Sequence, residues 1–104
     1  MHNADQIRRV FLQITLQTML SRCGETLFTP LEDGQGVIMS IAECRLFNLN
    51  VVGRRVWELL ETPKTLAELC AVIGGEFRVD PATCEAEVAK FVNGVANNGI
   101  IRVH

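Results

Sequence analysis

Tyrosine is absent from this 104-residue chain, histidine occurs only as His2 and His104, and serine only as Ser21 and Ser40. A Ser–His or Cys–His nucleophile–base pair would have to recruit a chain end, which leaves nucleophilic catalysis without parts. No phosphate loop is present, because Gly34-Gln35-Gly36 and Gly74-Gly75 are turn material with no Lys-Ser/Thr pair behind them. Cys23, Cys44, Cys70 and Cys84 include no C-x-x-C pair, and no internal histidine joins them, which argues against a zinc site or a disulfide framework. Cys70 and Cys84 read instead as small buried apolar residues on helix faces, and Cys23 and Cys44 as partly exposed thiols. The carboxylate pairs Glu58/Glu61 and Glu85/Glu87 fall where solvated helix faces explain them. This inventory predicts a protein that is not an enzyme and has no cofactor or metal.

An excess of charge of either sign is also lacking. Ten basic against twelve acidic residues leave a net charge of −2, too little to attract nucleic acid or an anionic membrane broadly. No apolar run approaches the ~20 residues that a bilayer span needs. The opening MHNADQIRR lacks the order of a secretory signal, so the expected location is the cytoplasm. With 48% hydrophobic and 21% charged residues, the composition is that of one globular domain with a single small core.

What the chain does have is a strand-to-helix joint, RLFNLNVVGRRVWELL, from Arg45 to Leu60. Alternation puts Phe47 and Leu49 on the core face of a strand and Leu46 on the other. Asn50 is a strong N-cap, and Val52, Val56, Leu59 and Leu60 then form a helical stripe beside Trp57. Gly53 weakens a helix, so its expected use is to let another backbone come close. Upstream, Thr26 to Leu31 and Val37 to Ala42 read as two further strands around an Asp-Gly turn. Downstream, Thr65 and Glu68 form a capping box for a second helix that Gly74-Gly75 should end. Asp80-Pro81 opens a third helix burying Cys84, Val88, Phe91 and Val95, and Ile100 to Val103 can add a last strand.

Residues 5 to 20 fit two periods. Ile7, Val10, Phe11 and Ile14 suit a helix capped by Asp5, whereas Leu12, Ile14 and Leu16 alternate as a strand would; the helix is favoured. The predicted organisation is an N-terminal arm over 1–25 and a domain over 26–104. The arm either packs on a second copy of the chain, making a homodimer, or covers its own core.

The stretch LFNLNVVGRRVWELLETPKTLAELCAVI resembles the signature of the pyrroloquinoline-quinone synthesis protein D (PqqD) family. Leu49-Asn50, Gly53 and Trp57 carry the resemblance, which continues from Val88 to Ile101 and spans roughly 26 to 103. It implies an α+β fold, a small winged helix-turn-helix with a three-stranded antiparallel sheet followed by three helices. It also implies the function: a peptide-binding module that captures the leader of a ribosomally made precursor peptide. The partner receiving that peptide would be a modifying enzyme, such as a radical enzyme using S-adenosylmethionine, a leader protease or a cyclase. By the same resemblance the groove lies between the third strand and the third helix, Pro81 to Ala96. Its candidate peptide-binding residues are Arg45, Leu46, Phe47, Asn48 and Leu49 on the strand, with Glu85, Ala89, Lys90, Val92 and Ala96 on the helix. An edge strand supplies the physics, since its unpaired N–H and C=O groups can accept a further strand.

Two other readings compete. Helices joined by a short turn suit DNA, but the third helix opens with Asp80, Glu85 and Glu87, whose carboxylates would repel phosphates. A purely structural dimerisation module would make the arm the active part and bind no peptide.

Overall fold

The computed structural model describes residues 14–96 and 99–104. Among them six strands and three helices form two small antiparallel sheets with helices packed on the larger one. The strands are β1 (Met19–Arg22), β2 (Thr26–Pro30), β3 (Gly36–Ser40), β4 (Arg45–Leu49), β5 (Lys64–Thr65) and β6 (Ile101–Val103). The helices are α1 (Val51–Leu59), α2 (Leu66–Phe77) and α3 (Pro81–Ala96). The larger sheet runs β2-β3-β4 and the smaller β5-β1-β6, so the fold is α+β as expected.

Local chemistry explains the helix starts. Asn50 Oδ1 accepts the Gly53 N–H at 2.8 Å, opening α1. At α2, Thr65 Oγ1 accepts from Glu68 N–H at 3.1 Å while Glu68 Oε1 accepts from Thr65 N–H at 2.8 Å. The α2 start is completed from outside the helix, because the carbonyls of Thr18 and Leu16 accept the N–H groups of Leu66 and Ala67. Asp80 Oδ2 accepts the Thr83 N–H at 3.0 Å and opens α3.

Two local expectations fail. Helix α2 does not end at Gly74-Gly75; it runs to Phe77 and closes at Arg78, a left-handed C-cap with φ of 53°. Tertiary contacts carry it through: Glu76 accepts two hydrogen bonds from Arg55 of α1, both at 2.8 Å, and Phe77 packs against the core. The second failure is the last part of the helix favoured over residues 5 to 20. Its residues 5 to 13 lie outside the described residues, but Met19–Arg22 is strand β1, between β5 and β6. Its partners lie far along the chain, Leu20 pairing with both Lys64 and Val103, so no local period could reveal it. Leu20 is fully buried, and β1 is therefore part of the folded body although the expected boundary put it in the arm.

One core joins these layers. Ile38 and Leu49 from the inner face of the larger sheet meet Val56, Trp57 and Leu60 of α1, Leu69 and Ile73 of α2, and Val88 and Val92 of α3. Arg22 fastens β1 to α1: its guanidinium stacks 4.4 Å from the Trp57 ring centre and donates to the Trp57 carbonyl. No helix among the described residues is long and apolar enough to cross a membrane.

Candidate functional site

Strand β4 is an edge. It pairs with β3 on one side, and among the described residues no strand pairs with it on the other. Beyond that edge lies a groove of about 440 Å³, closed on its far side by α3 and at its base by the first turn of α1. On the strand side Phe47 turns its ring into the groove, with Leu46 and Asn48 flanking it along the edge. Phe91, Gly94 and Val95 form the helix wall, with Glu87 and Lys90 at the rim. Asn50, Val52 and Gly53 make the base, where the same Asn50 that caps α1 turns the chain from strand to helix.

Gly53 explains how the walls fit together. A Cβ there would meet Phe91 Cε1 at 2.9 Å, so the aromatic ring of α3 lies on the glycine. The close approach anticipated at Gly53 therefore comes from a side chain and not from a backbone. Apolar surface from Phe47, Val52, Phe91 and Val95 sits beside the strand edge, and charge is confined to the rim. Arg45 adds a cation at one end, its guanidinium 5.4 Å from the Phe47 ring centre.

The ten expected site residues divide. Leu46, Phe47, Asn48 and Lys90 line the groove, and Arg45 stands over Phe47. Leu49 and Val92 are buried in the core and present nothing to a groove. Ala89 is half-buried against that core. Glu85 is exposed elsewhere, beside a second hollow with Leu16, Cys70 and Pro81. The side chain of Ala96 lies outside the described residues. The helix stripe was thus read too far round: Glu85, Ala89, Val92 and Ala96 share one stripe, whereas Glu87, Phe91 and Gly94 face β4. Phe91, read as core, was missed as a wall; its spacing from Glu87 and Gly94 was the available signal. Phe47 was expected deep under the helices, and it is only half-buried because β4 is an edge.

The arginines of α1, the cations a nucleic acid would need, are engaged locally. Arg54 donates to Glu58 at 3.0 Å and to the Gln35 carbonyl at 3.0 Å, and Arg55 clasps Glu76. Glu85 and Glu87 stay exposed on α3, so that helix offers phosphates a repulsive face. Among the described residues no group of His, Cys, Asp or Glu is arranged to hold a metal.

The profile of the coenzyme PQQ synthesis protein D (PqqD) family matches residues 35–101. The chain belongs to the PqqD family. The match covers β3 through the start of β6, and therefore both walls of the groove. Among solved structures, the PqqD-family chain is similar to one of TbiB1 in complex with the TbiA(beta) leader peptide. There the identity is 27% and the TM-score 0.70, covering 79% of this chain and 94% of that one. It also shares its fold with the PqqD truncation of Methylobacterium extorquens PqqCD, described as a functional, stand-alone recognition element for ribosomally synthesized and post-translationally modified peptides. That likeness has 19% identity and a TM-score of 0.67, covering 81% of this chain and 88% of that one. No curated protein matches the chain.

Proposed function

We propose that this PqqD-family chain is a non-catalytic recognition domain for the leader of a ribosomally made precursor peptide. The observation that carries the reading is the open edge of β4 bordering the Phe47–Phe91 groove. An extended segment added to β4 gains a ladder of backbone hydrogen bonds, and every second side chain points into the groove. Apolar side chains suit the Phe47, Val52, Phe91 and Val95 surface, while Lys90 at the rim suits a carboxylate. The similarity to TbiB1, solved with a leader peptide, supports the same choice of ligand. The bound leader is then carried to a peptide-modifying enzyme, with a radical enzyme using S-adenosylmethionine, a leader protease and a cyclase as the classes in view.

The test is fluorescence polarisation with the labelled leader of any short precursor peptide found encoded next to this chain. Saturable binding with a Kd of about 1 μM or tighter is expected, weakened at least tenfold by Phe91→Ala, an anchor-sized loss of about 1.4 kcal/mol or more. A leader that shows no saturation up to about 100 μM overturns the reading.

A further inference from the structure

The larger sheet breaks a rule of small antiparallel sheets. One face normally packs on the core and the other is polar, giving alternation along each strand. Here the inner face packs under the helices through Ile38 and Leu49. The outer face, fixed by the pairing register, carries Leu27, Thr29, Val37, Met39, Leu46 and Asn48, without one charged side chain. Leu27 pairs with Met39 and Met39 with Leu46, forming one apolar row across all three strands. These three residues are 57%, 38% and 68% exposed. Single exposed leucines need no explanation, but a contiguous uncharged row on a solvated face does.

The row ends at Leu46, on the same edge that borders the groove. Any strand added to β4 places one residue opposite Leu46, with its side chain on the outer face. That residue becomes the fourth member of the row, about 5 Å from Leu46 between Cβ atoms. Its sequence neighbours point the other way, towards Phe47 and Phe91.

We infer that the peptide bound at β4 is read on both faces: an apolar side chain extends the Leu27–Met39–Leu46 row while its immediate neighbour enters the groove. The ligand is thus a segment with adjacent apolar residues, not the alternating apolar–polar strand that a one-faced groove would select. Continuity of the row with the groove at Leu46 identifies the occupant as the peptide itself. The inference rests on the proposed peptide-binding role and specifies its ligand.

The probe is a displayed library of random 12-residue peptides, selected on the full chain. A selected peptide is labelled and scanned with lysine at each position, against the wild-type protein and against Leu46→Glu. Melting curves establish that Leu46→Glu remains folded, as its exposure predicts. One apolar position is expected at which lysine weakens wild-type binding at least about tenfold and Leu46→Glu restores it, since the new pair is oppositely charged. Lysine at an adjacent position should weaken binding to both proteins, because that side chain enters the groove. Peptides that compete for the groove yet accept lysine at every outward position, with affinity unchanged, overturn the inference and leave the peptide-binding role intact. A library that yields no binder overturns both.

Discussion

Phe91 of α3 lies so close to Gly53 of α1 that a methyl group on the glycine would stand 2.9 Å from Cε1 and 3.1 Å from Cδ1 of the ring. The base of the groove and its helix wall are therefore one packing unit. Alanine at position 53 gains about 1 kcal/mol of helix propensity, while overpacking a tight site costs about 1–3 kcal/mol. The ring can relieve the contact by swinging into the groove. Gly53→Ala should thus shift stability by less than about 2 kcal/mol in either direction while lowering peptide affinity at least about tenfold. Thermal melting and polarisation on the same sample check the two halves. Unchanged affinity would mean that the ring moves elsewhere.

The N-terminal residues can be divided by truncation. Leu20 is fully buried, β1 pairs on both sides, and Arg22 clasps Trp57. Removing residues 1–22 should therefore abolish cooperative unfolding followed by circular dichroism, since burying one leucine alone is worth about 1.5–3 kcal/mol. Removing residues 1–13 should leave the melting transition in place. Light scattering on that shorter chain and the full one decides between the two uses of the arm: a dimer that becomes a monomer assigns residues 1–13 to self-association, and an unchanged state does not.

Acid should weaken α3 first at its start. Hydrogen bonds from the Thr83 hydroxyl and N–H hold the Asp80 carboxyl below its ordinary value of 3.8. A carboxylate depressed in the folded state contributes stability above its unfolded pKa, and loses it as pH falls through the folded value. Asparagine caps as well but cannot ionise, and it forgoes the attraction of a negative charge to the helix N-terminus. The melting temperature of wild type should exceed that of Asp80→Asn near neutral pH, and the gap should close below about pH 4. A gap that stays constant down to about pH 2 would assign the difference to packing.

The four thiols should react in order of exposure. Cys44 is exposed, Cys23 half-buried with its thiol donating to the Gly99 carbonyl at 3.0 Å, and Cys84 buried. Burial, with the Cys84 thiol as a smaller contribution, pushes Cys70 up to about 11. Because only a thiolate attacks a disulfide reagent, Ellman's reagent near pH 8 should label Cys44 first and Cys23 more slowly. Cys70, half-buried with a raised pKa, should react more slowly still and Cys84 only on unfolding, as mass spectrometry of the labelled peptides would show. Labelling of Cys70 as prompt as that of Cys44 would contradict its raised pKa.

Features set by neighbours along the chain were legible in the sequence. Asn50, the Thr65–Glu68 box and Asp80 each bond within three residues, so residue type and spacing were enough to locate three helix starts. Strand β4 was also readable, because alternation from Arg45 to Leu49 needs no partner to be recognised. Tertiary structure decided the rest. Strand β1 exists through Ile101–Val103 and Lys64–Thr65, which no local period encodes, and α2 passes two glycines because Arg55 holds Glu76. The same limit governs the groove. Helical spacing marks stripes on α3 but not which one meets β4, so Val92 went into the core and Phe91 to the wall. That rotation is set by helix packing, where Phe91 fits the space left by the missing side chain of Gly53.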